Sequence, residues 1–326
     1  MGLRTIDLFC GCGGLSLGLQ QAGFDVVAGA DACEKTMRVY KVNNTGHAGL
    51  TEDLSDQKRA LEITKSFAPD VIAGGPPCQD YSSAGNRKEG DRAALTIGFT
   101  KLVCDVRPKL FIMENVARAE KSKTFKRAFD LFRAAGYGLT TRVLDASLCG
   151  VPQKRQRLFV VGAVGNSQGW LDPFIDARLS DEPMTVREYM NDEIGVEHYY
   201  LHPRHYGRRA VFSIDEPAPT IRSVHREPPP TYVAHPQDFV DPSSHYVRGL
   251  STYERSRVQT FPMEFIWPKN ATKAFLDHMI GNAVPVELAE FVGSCILEAI
   301  GTSERERGRR KPARLVPVDG KALKAA

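Results

Sequence analysis

Five short apolar runs, each closed by residues that a strand interior disfavours, constrain this chain more than any other feature. Arg4 to Phe9 runs into a glycine cluster, and Asp25 to Ala30 is closed by Asp31. Asp70 to Ala73 ends in Gly74-Gly75-Pro76-Pro77, Leu110 to Met113 ends in Glu114-Asn115, and Arg157 to Gly162 follows late. Such runs, separated by stretches of helical period like Leu15 to Gln21, predict buried strands of a parallel sheet joined by right-handed crossovers. Ligands bind beyond the carboxyl ends of the strands in an open α/β sheet. The polar and glycine residues collect at that edge, so the expectation is one pocket assembled from several strand ends.

With 326 residues the chain has room for about two domains. No stretch reaches the ~18 uninterrupted apolar residues of a membrane span, and the N-terminus has no signal-peptide pattern. The seven cysteines, an odd number thinly spread, argue against a disulfide framework and for a reducing cytoplasm. The net charge of +4 conceals a basic C-terminus: Ser303 to Ala326 holds eight Lys/Arg against three Asp/Glu. That segment reads as a solvated tail with weak attraction for phosphate.

The α/β pattern occupies residues 1–165. From 166 to 262 the composition shifts, with seven of the ten tyrosines and six of the eight histidines between Tyr189 and Tyr253, among many prolines. A smaller, loop-rich second domain is expected there. Helical periodicity returns over 263–302, which is expected to complete the first domain, and 303–326 forms the tail. No internal repeat is present at solenoid periods.

Phe9-Cys-Gly11-Cys-Gly13-Gly14 follows a strand and opens a helix. Glycines there let backbone approach a ligand, and the helix start offers free N–H groups. Asp31 closes the next strand, where a carboxylate can grip ribose hydroxyls. A nucleoside-containing cofactor is expected, and the spacing departs from the dinucleotide fingerprint. Cys10 and Cys12 lack a second Cys or His pair, so they read as small buried residues and no metal is expected.

Pro76-Pro77 stiffen the loop that carries Cys78, and a thiolate held at the ligand edge is a candidate nucleophile. Most lone cysteines are core residues, and the neighbours raise this one above that reading. Glu114 ends another strand at the same edge. Gln153, Arg155 and Arg157 alternate and so share a face, which suits either the same pocket or a solvated basic edge.

Together these residues resemble the DNA cytosine-5 methyltransferases, over nearly the whole chain and in the family's motif order. The resemblance implies a Rossmann-like S-adenosylmethionine-dependent methyltransferase sheet with a smaller, loop-rich target-recognition domain. Phe9, Gly11, Gly13, Gly14 and Leu15 are similar to the cofactor loop. Asp31, beside Ala32, stands where the family usually has Glu. Glu52-Asp53-Leu54 is similar to the segment contacting adenine. The likeness also carries Pro77, Leu95, Asn282, Ala283 and Val284 to the cofactor. Pro77-Cys78-Gln79, Glu114-Asn115-Val116 and Gln153-x-Arg155-x-Arg157 resemble the catalytic motifs. Arg248 to Pro262 and Gly281 to Pro285 resemble the last two.

The chemistry such a family performs needs these side chains. Carbon 5 of cytosine is a weak nucleophile until Cys78 adds to carbon 6. Glu114, its pKa raised by burial, would then stabilise charge at N3, with Arg155 and Arg157 orienting it. The target must leave the DNA stack, and Gln79, Ser82 and Arg87 lie in the loop expected to close over it. Arg204, Arg208, Arg209, Arg222 and Arg226 are the candidates for phosphate or base contacts, with Leu171 to Ser213 as the variable reader. The implied partners are double-stranded DNA and, functionally, a cognate restriction endonuclease. A monomer in the bacterial cytoplasm is expected. A tRNA methyltransferase of the same family and a catalytically idle DNA-binding module are the alternatives. The Cys-Phe-Thr signature of the tRNA branch is absent from this chain, and the intact Cys78, Glu114 and Arg155 oppose an idle binder.

Overall fold

The computed structural model describes residues 2–77, 91–203, 207–224, 226–241 and 246–309. The large unit opens with β1 (Arg4–Leu8), α1 (Gly14–Ala22), β2 (Asp25–Asp31), α2 (Glu34–Asn43), β3 (Ala48–Thr51), α3 (Gln57–Ser66) and β4 (Val71–Gly74). It continues through α4 (Asp91–Val106), β5 (Leu110–Val116), α5 (Lys123–Ala134), β6 (Tyr137–Asp145), β7 (Gln153–Lys154) and β8 (Gln156–Val164). Then come α6 (Asp172–Arg178), α7 (Val186–Met190), β9 (His198–Tyr200), β10 (Val211–Ser213), β11 (Ala218–Pro219) and β12 (Arg248–Gly249). The chain closes with α8 (Thr252–Val258), α9 (Lys273–Asn282) and α10 (Val286–Arg309).

Seven strands form the main sheet in the order β3-β2-β1-β4-β5-β8-β6. The first five are parallel, as their sequences predict. The last expected strand departs from that: β8 runs antiparallel to both β5 and β6. The reason is its connection. No α-helix separates β6 from β8, whereas a parallel return needs a crossover of a dozen or more residues. Reversal has a functional result. The start of β8 lies at the carboxyl edge of the parallel strands, with Arg157 opposite Val116.

Alternation within each strand divides the core into two layers. Ile6, Leu8, Ile72, Phe111 and Met113 face one side, against Leu54, Phe99, Phe125 and Phe132. Val71, Ala73, Leu110 and Ile112 face the other, against Leu15 and Leu19 of α1 and Leu288, Val292 and Ile296 of α10. α1 and α10 cross closely because Gly18 has no side chain. A Cβ there would lie 2.2 Å from the Val286 carbonyl oxygen.

Composition assigned residues 166–262 to a separate unit, yet Leu171 and Ile175 of the α6 region pack in the core beneath α10. The smaller unit proper has its own cluster of Val186, Met190, Tyr199, Ile214 and Leu250 around the sheet β10-β9-β12. β11 pairs in parallel with β7 and ties the two units together. The described part of α10 runs on to Arg309, beyond the expected start of the tail.

Candidate active site

Below the carboxyl edge of β1 the chain passes through left-handed backbone at Phe9 (φ 59°), Gly11 (φ 55°) and Gly13 (φ 100°). The coil this makes places successive residues in different surroundings. Among the described residues a Cβ on Gly11 would meet nothing within 4 Å, so this glycine faces the open side of the coil. A Cβ on Gly14 would lie 2.2 Å from the Val284 carbonyl oxygen. Gly14 therefore serves the close seating of the segment before α10. Asp31 at the end of β2 fastens the coil: its Oδ2 accepts from the Gly11 amide at 3.1 Å and its Oδ1 from the Cys33 amide at 2.9 Å.

A cavity of about 400 Å³ opens here, and it joins both ends of the expected site. Phe9, Gly11, Leu15 and Asp31 line one part, Pro77, Glu114 and Arg157 another, and Asn282, Ala283 and Val284 close it. Other expected cofactor residues stand outside that lining. Leu54 is buried in the core with Phe99. Exposed Asp53 caps its own turn by accepting from the Ser55 amide. Gly13, Gly14, Ala32 and Leu95 also fall outside it.

Glu114 and Arg157 meet at 2.9 Å (Oε1 to Nε) on the cavity wall. Their meeting follows from register. Glu114 is opposite Phe159, so Arg157, two residues along β8, is its diagonal neighbour on the same face. Burial pushes the Glu114 carboxyl above the ordinary glutamate range, while the Arg157 and Arg155 guanidinium groups pull it back. The loop before Cys78 lies against this pair. A Cβ on Gly75 would be 3.2 Å from Glu114 Oε2, and the Asn115 side-chain amide donates to the Pro76 carbonyl at 3.0 Å. Cys78 itself lies outside the described residues, as do Gln79, Ser82, Arg87 and Arg204.

Arg155 differs from expectation. Its guanidinium is fully buried and donates to the carbonyls of Ile221 (2.9 Å), Gly281 (2.9 Å) and Ala283 (3.2 Å). Alternation turns Arg155 and Arg157 to one side, but the short β7–β11 pairing brings other backbone to Arg155 first. Gln153 behaves likewise, donating to Gln259 Oε1 at 2.8 Å and accepting from the Ile221 amide at 2.7 Å. Both position segments rather than line the cavity.

Among the expected DNA-contacting arginines, Arg208 and Arg226 are exposed. Arg209 is engaged internally: it pairs with Glu216 and stacks over Phe212 (4.4 Å) and Phe239 (5.2 Å). Arg222 donates to the His202 carbonyl.

Sequence reasoning missed several lining residues, among them Asp7, Thr36, Phe275 and His278. Asp7 left a signal, as a carboxylate inside an otherwise apolar strand. Phe275 and His278 left none, because only the packing of α9 brings them to the cavity.

Residues 3–204 and 184–298 match the family described as C-5 cytosine-specific DNA methylase. The chain belongs to that family. Its activity is methyl transfer to carbon 5 of cytosine in DNA. The methylase is 48% identical over 296 residues to the Type II methyltransferase M.HindV of Haemophilus influenzae, covering 90% of this chain and 96% of that one. It is 47% identical to the Type II methyltransferase M.HgiDI of Herpetosiphon aurantiacus, covering 90% and 94%. The fold is similar to that of the S. pombe Dnmt2 methyltransferase, with a TM-score of 0.70 at 19% identity over 92% of this chain and 99% of that one. A putative DNA modification methyltransferase of an E. coli prophage gives a TM-score of 0.67 at 22% identity, covering 92% of this chain and 100% of that one. Among the described residues no helix is long and apolar enough to cross a membrane.

Proposed function

We propose that this methylase acts on double-stranded DNA through a transient bond between Cys78 and carbon 6 of an extruded cytosine, with S-adenosylmethionine as methyl donor. The single observation that carries the assignment of roles is the Glu114–Arg157 pair, 2.9 Å apart and facing the cavity that the coil at Gly11 also lines.

The residues present suit a nucleoside donor. The open side of Gly11, the carboxylate of Asp31 and the closing segment Asn282 to Val284 surround one space. When bound there, the donor supplies an electrophilic methyl on a sulfonium. The protein's own groups do the rest. Addition of the Cys78 sulfur to carbon 6 pushes electron density toward N3 and O2. Glu114, kept more basic by burial, shares a proton with N3 and makes the ring an enamine at carbon 5. Arg157 holds the carboxyl through its Nε contact and limits how far its pKa rises. After methylation the carbon 5 proton leaves to a base and the thiolate departs. Arg155 is a positioning residue in this scheme. Among the described candidates, Arg208 and Arg226 are exposed and so able to meet phosphate.

The Type II names of the relatives support a place in restriction–modification, with an endonuclease that reads the same site. The test is transfer of labelled methyl from S-adenosylmethionine to duplex DNA, with capture on an oligonucleotide carrying 5-fluorocytosine. Wild-type protein is expected to form a stable adduct and Cys78→Ala none. Adduct formation unchanged in Cys78→Ala overturns the assignment.

A further inference from the structure

Beneath the cavity runs a row of buried polar side chains that the methyl-transfer scheme does not use. Asp7 Oδ2 accepts from Ser16 Oγ at 2.6 Å. Ser16 Oγ lies 3.1 Å from the Tyr40 hydroxyl, and that hydroxyl lies 3.2 Å from His47 Nδ1. The amide nitrogen of Gln20 meets His47 Nε2. Asp7, Ser16 and Tyr40 are fully buried, and His47 and Gln20 at the outer end are partly exposed. At the other end Asp7 Oδ1 has no hydrogen-bond partner among the described residues, and Asp7 lines the cavity. The row is built into the fold: a Cβ on Gly29 would lie 2.3 Å from the Tyr40 ring, so the glycine in β2 makes the space Tyr40 occupies.

The direction of the row follows from its outer end. An amide N–H of Gln20 donates to Nε2, which leaves the imidazole proton on Nδ1. Nδ1 then donates to the Tyr40 oxygen, Tyr40 to Ser16, and Ser16 to the Asp7 carboxylate. Every hydrogen points toward Asp7.

We propose that Ser16, Tyr40 and His47 are positioning residues for the methyl donor: their row of donors, all pointing at Asp7, favours its carboxylate form and thereby sets the pH at which the cavity meets the donor's cationic end with a carboxylate rather than a neutral acid. This rests on the reading of the cavity as the donor's pocket. Uptake of a proton by Asp7 removes the charge that the donors of the row stabilise, and its release restores that charge, so the row opposes protonation.

The surroundings place this exchange in the working range. Burial pushes the Asp7 carboxyl up to about 7, with the Ser16 bond opposing and the carboxylates of Asp31 and Glu114 adding to the rise. Glu114 is itself held by Arg157. The buried thiols of Cys10 and Cys12 are pushed up and stay neutral. Burial likewise raises Tyr40, which suits a hydroxyl that donates without ionising. His47 is lowered by burial against a small opposing pull from Asp25. A cationic ligand favours ionised Asp7, so binding releases a proton below neutrality and affinity climbs as pH rises through the Asp7 pKa.

The experiment is calorimetric titration of the full chain with S-adenosylmethionine and with S-adenosylhomocysteine at pH 6 to 8.5, in buffers of different ionisation enthalpy. Wild-type affinity is expected to rise roughly tenfold between pH 6 and 8, with proton release near half at pH 7. Tyr40→Phe and Ser16→Ala are expected to move the midpoint up by about one pH unit, since they remove donors that favour the carboxylate. Affinity in these variants at pH 8.5 and above should converge on wild type. His47→Phe is expected to move the midpoint the same way. A purely structural defect lowers affinity equally at every pH and overturns the proposal, as does wild-type binding without proton exchange. If neither ligand binds at any pH, the reading of the cavity as the donor's pocket fails instead.

Discussion

The Asn115 side-chain amide reaches across from the end of β5 to the carbonyl of Pro76, two residues before Cys78, at 3.0 Å. The strand that carries the proposed acid and the loop that leads to the proposed nucleophile are thus joined by one bond in the buried wall of the site. Asn115→Ala leaves the Pro76 carbonyl without this donor, a loss of about 1–3 kcal/mol if that oxygen stays unpaired. It also frees the loop to drift. A misplacement of ~1 Å costs on the order of a hundredfold in rate. Single-turnover methyl transfer is expected to fall by that order, with donor affinity within about twofold of wild type. A loss confined to donor affinity would contradict this role.

Arg157 limits the rise of the Glu114 pKa. In the proposed scheme the acid form of Glu114 serves the reaction and is lost as pH rises through its pKa, which burial has raised. Arg157→Met removes an opposing charge, so the alkaline limb of the pH–rate profile is expected to shift upward while the plateau drops. Single-turnover rates from pH 5.5 to 9.5 read both effects. A limb that moves to lower pH would contradict the pairing.

Gly11 and Gly14 lie three residues apart with opposite duties. Gly14→Ala drives a methyl into the Val284 carbonyl, 2.2 Å away, and such overpacking typically costs about 1–3 kcal/mol. Thermal melting should fall accordingly, and donor binding should weaken as the Asn282 to Val284 segment shifts. Gly11→Ala meets no atom and carries only the left-handed penalty of roughly 1–2 kcal/mol. It is expected to lower donor affinity more than its melting change accounts for.

Arg255 and Asp277 form a buried ion pair that joins α8 to α9. Asp277→Ala strands the guanidinium, a change worth about 3–5 kcal/mol. Denaturant melts should show that loss, and Arg255→Met in the same chain should recover a large part of it. Additive losses in the double variant would refute the coupling.

The strands and the gathering of function at one edge were legible because buried strands are short apolar runs with abrupt ends. The reversal of β8 was not, since an apolar run looks the same in either direction and only the connection decides. Glu114 and Arg157 could be matched to a shared pocket from alternation and the motif resemblance. Arg155 could not be assigned its partners, because Ile221, Gly281 and Ala283 contribute only backbone carbonyls, which leave no mark in a sequence. Boundaries suffered for a similar reason: the α6 region reads as part of the polar second unit, and only its burial beneath α10 returns it to the first.

The three-carbonyl grip of Arg155 has an evolutionary corollary. Carbonyl oxygens are common to all twenty amino acids, so the anchor is indifferent to most replacements in the segments it holds. Gly281 is the exception, because a Cβ there would lie 2.3 Å from the Ser223 amide nitrogen. Replacements at Ile221 and Ala283 can therefore change side chains while the joint that Arg155 makes keeps its geometry.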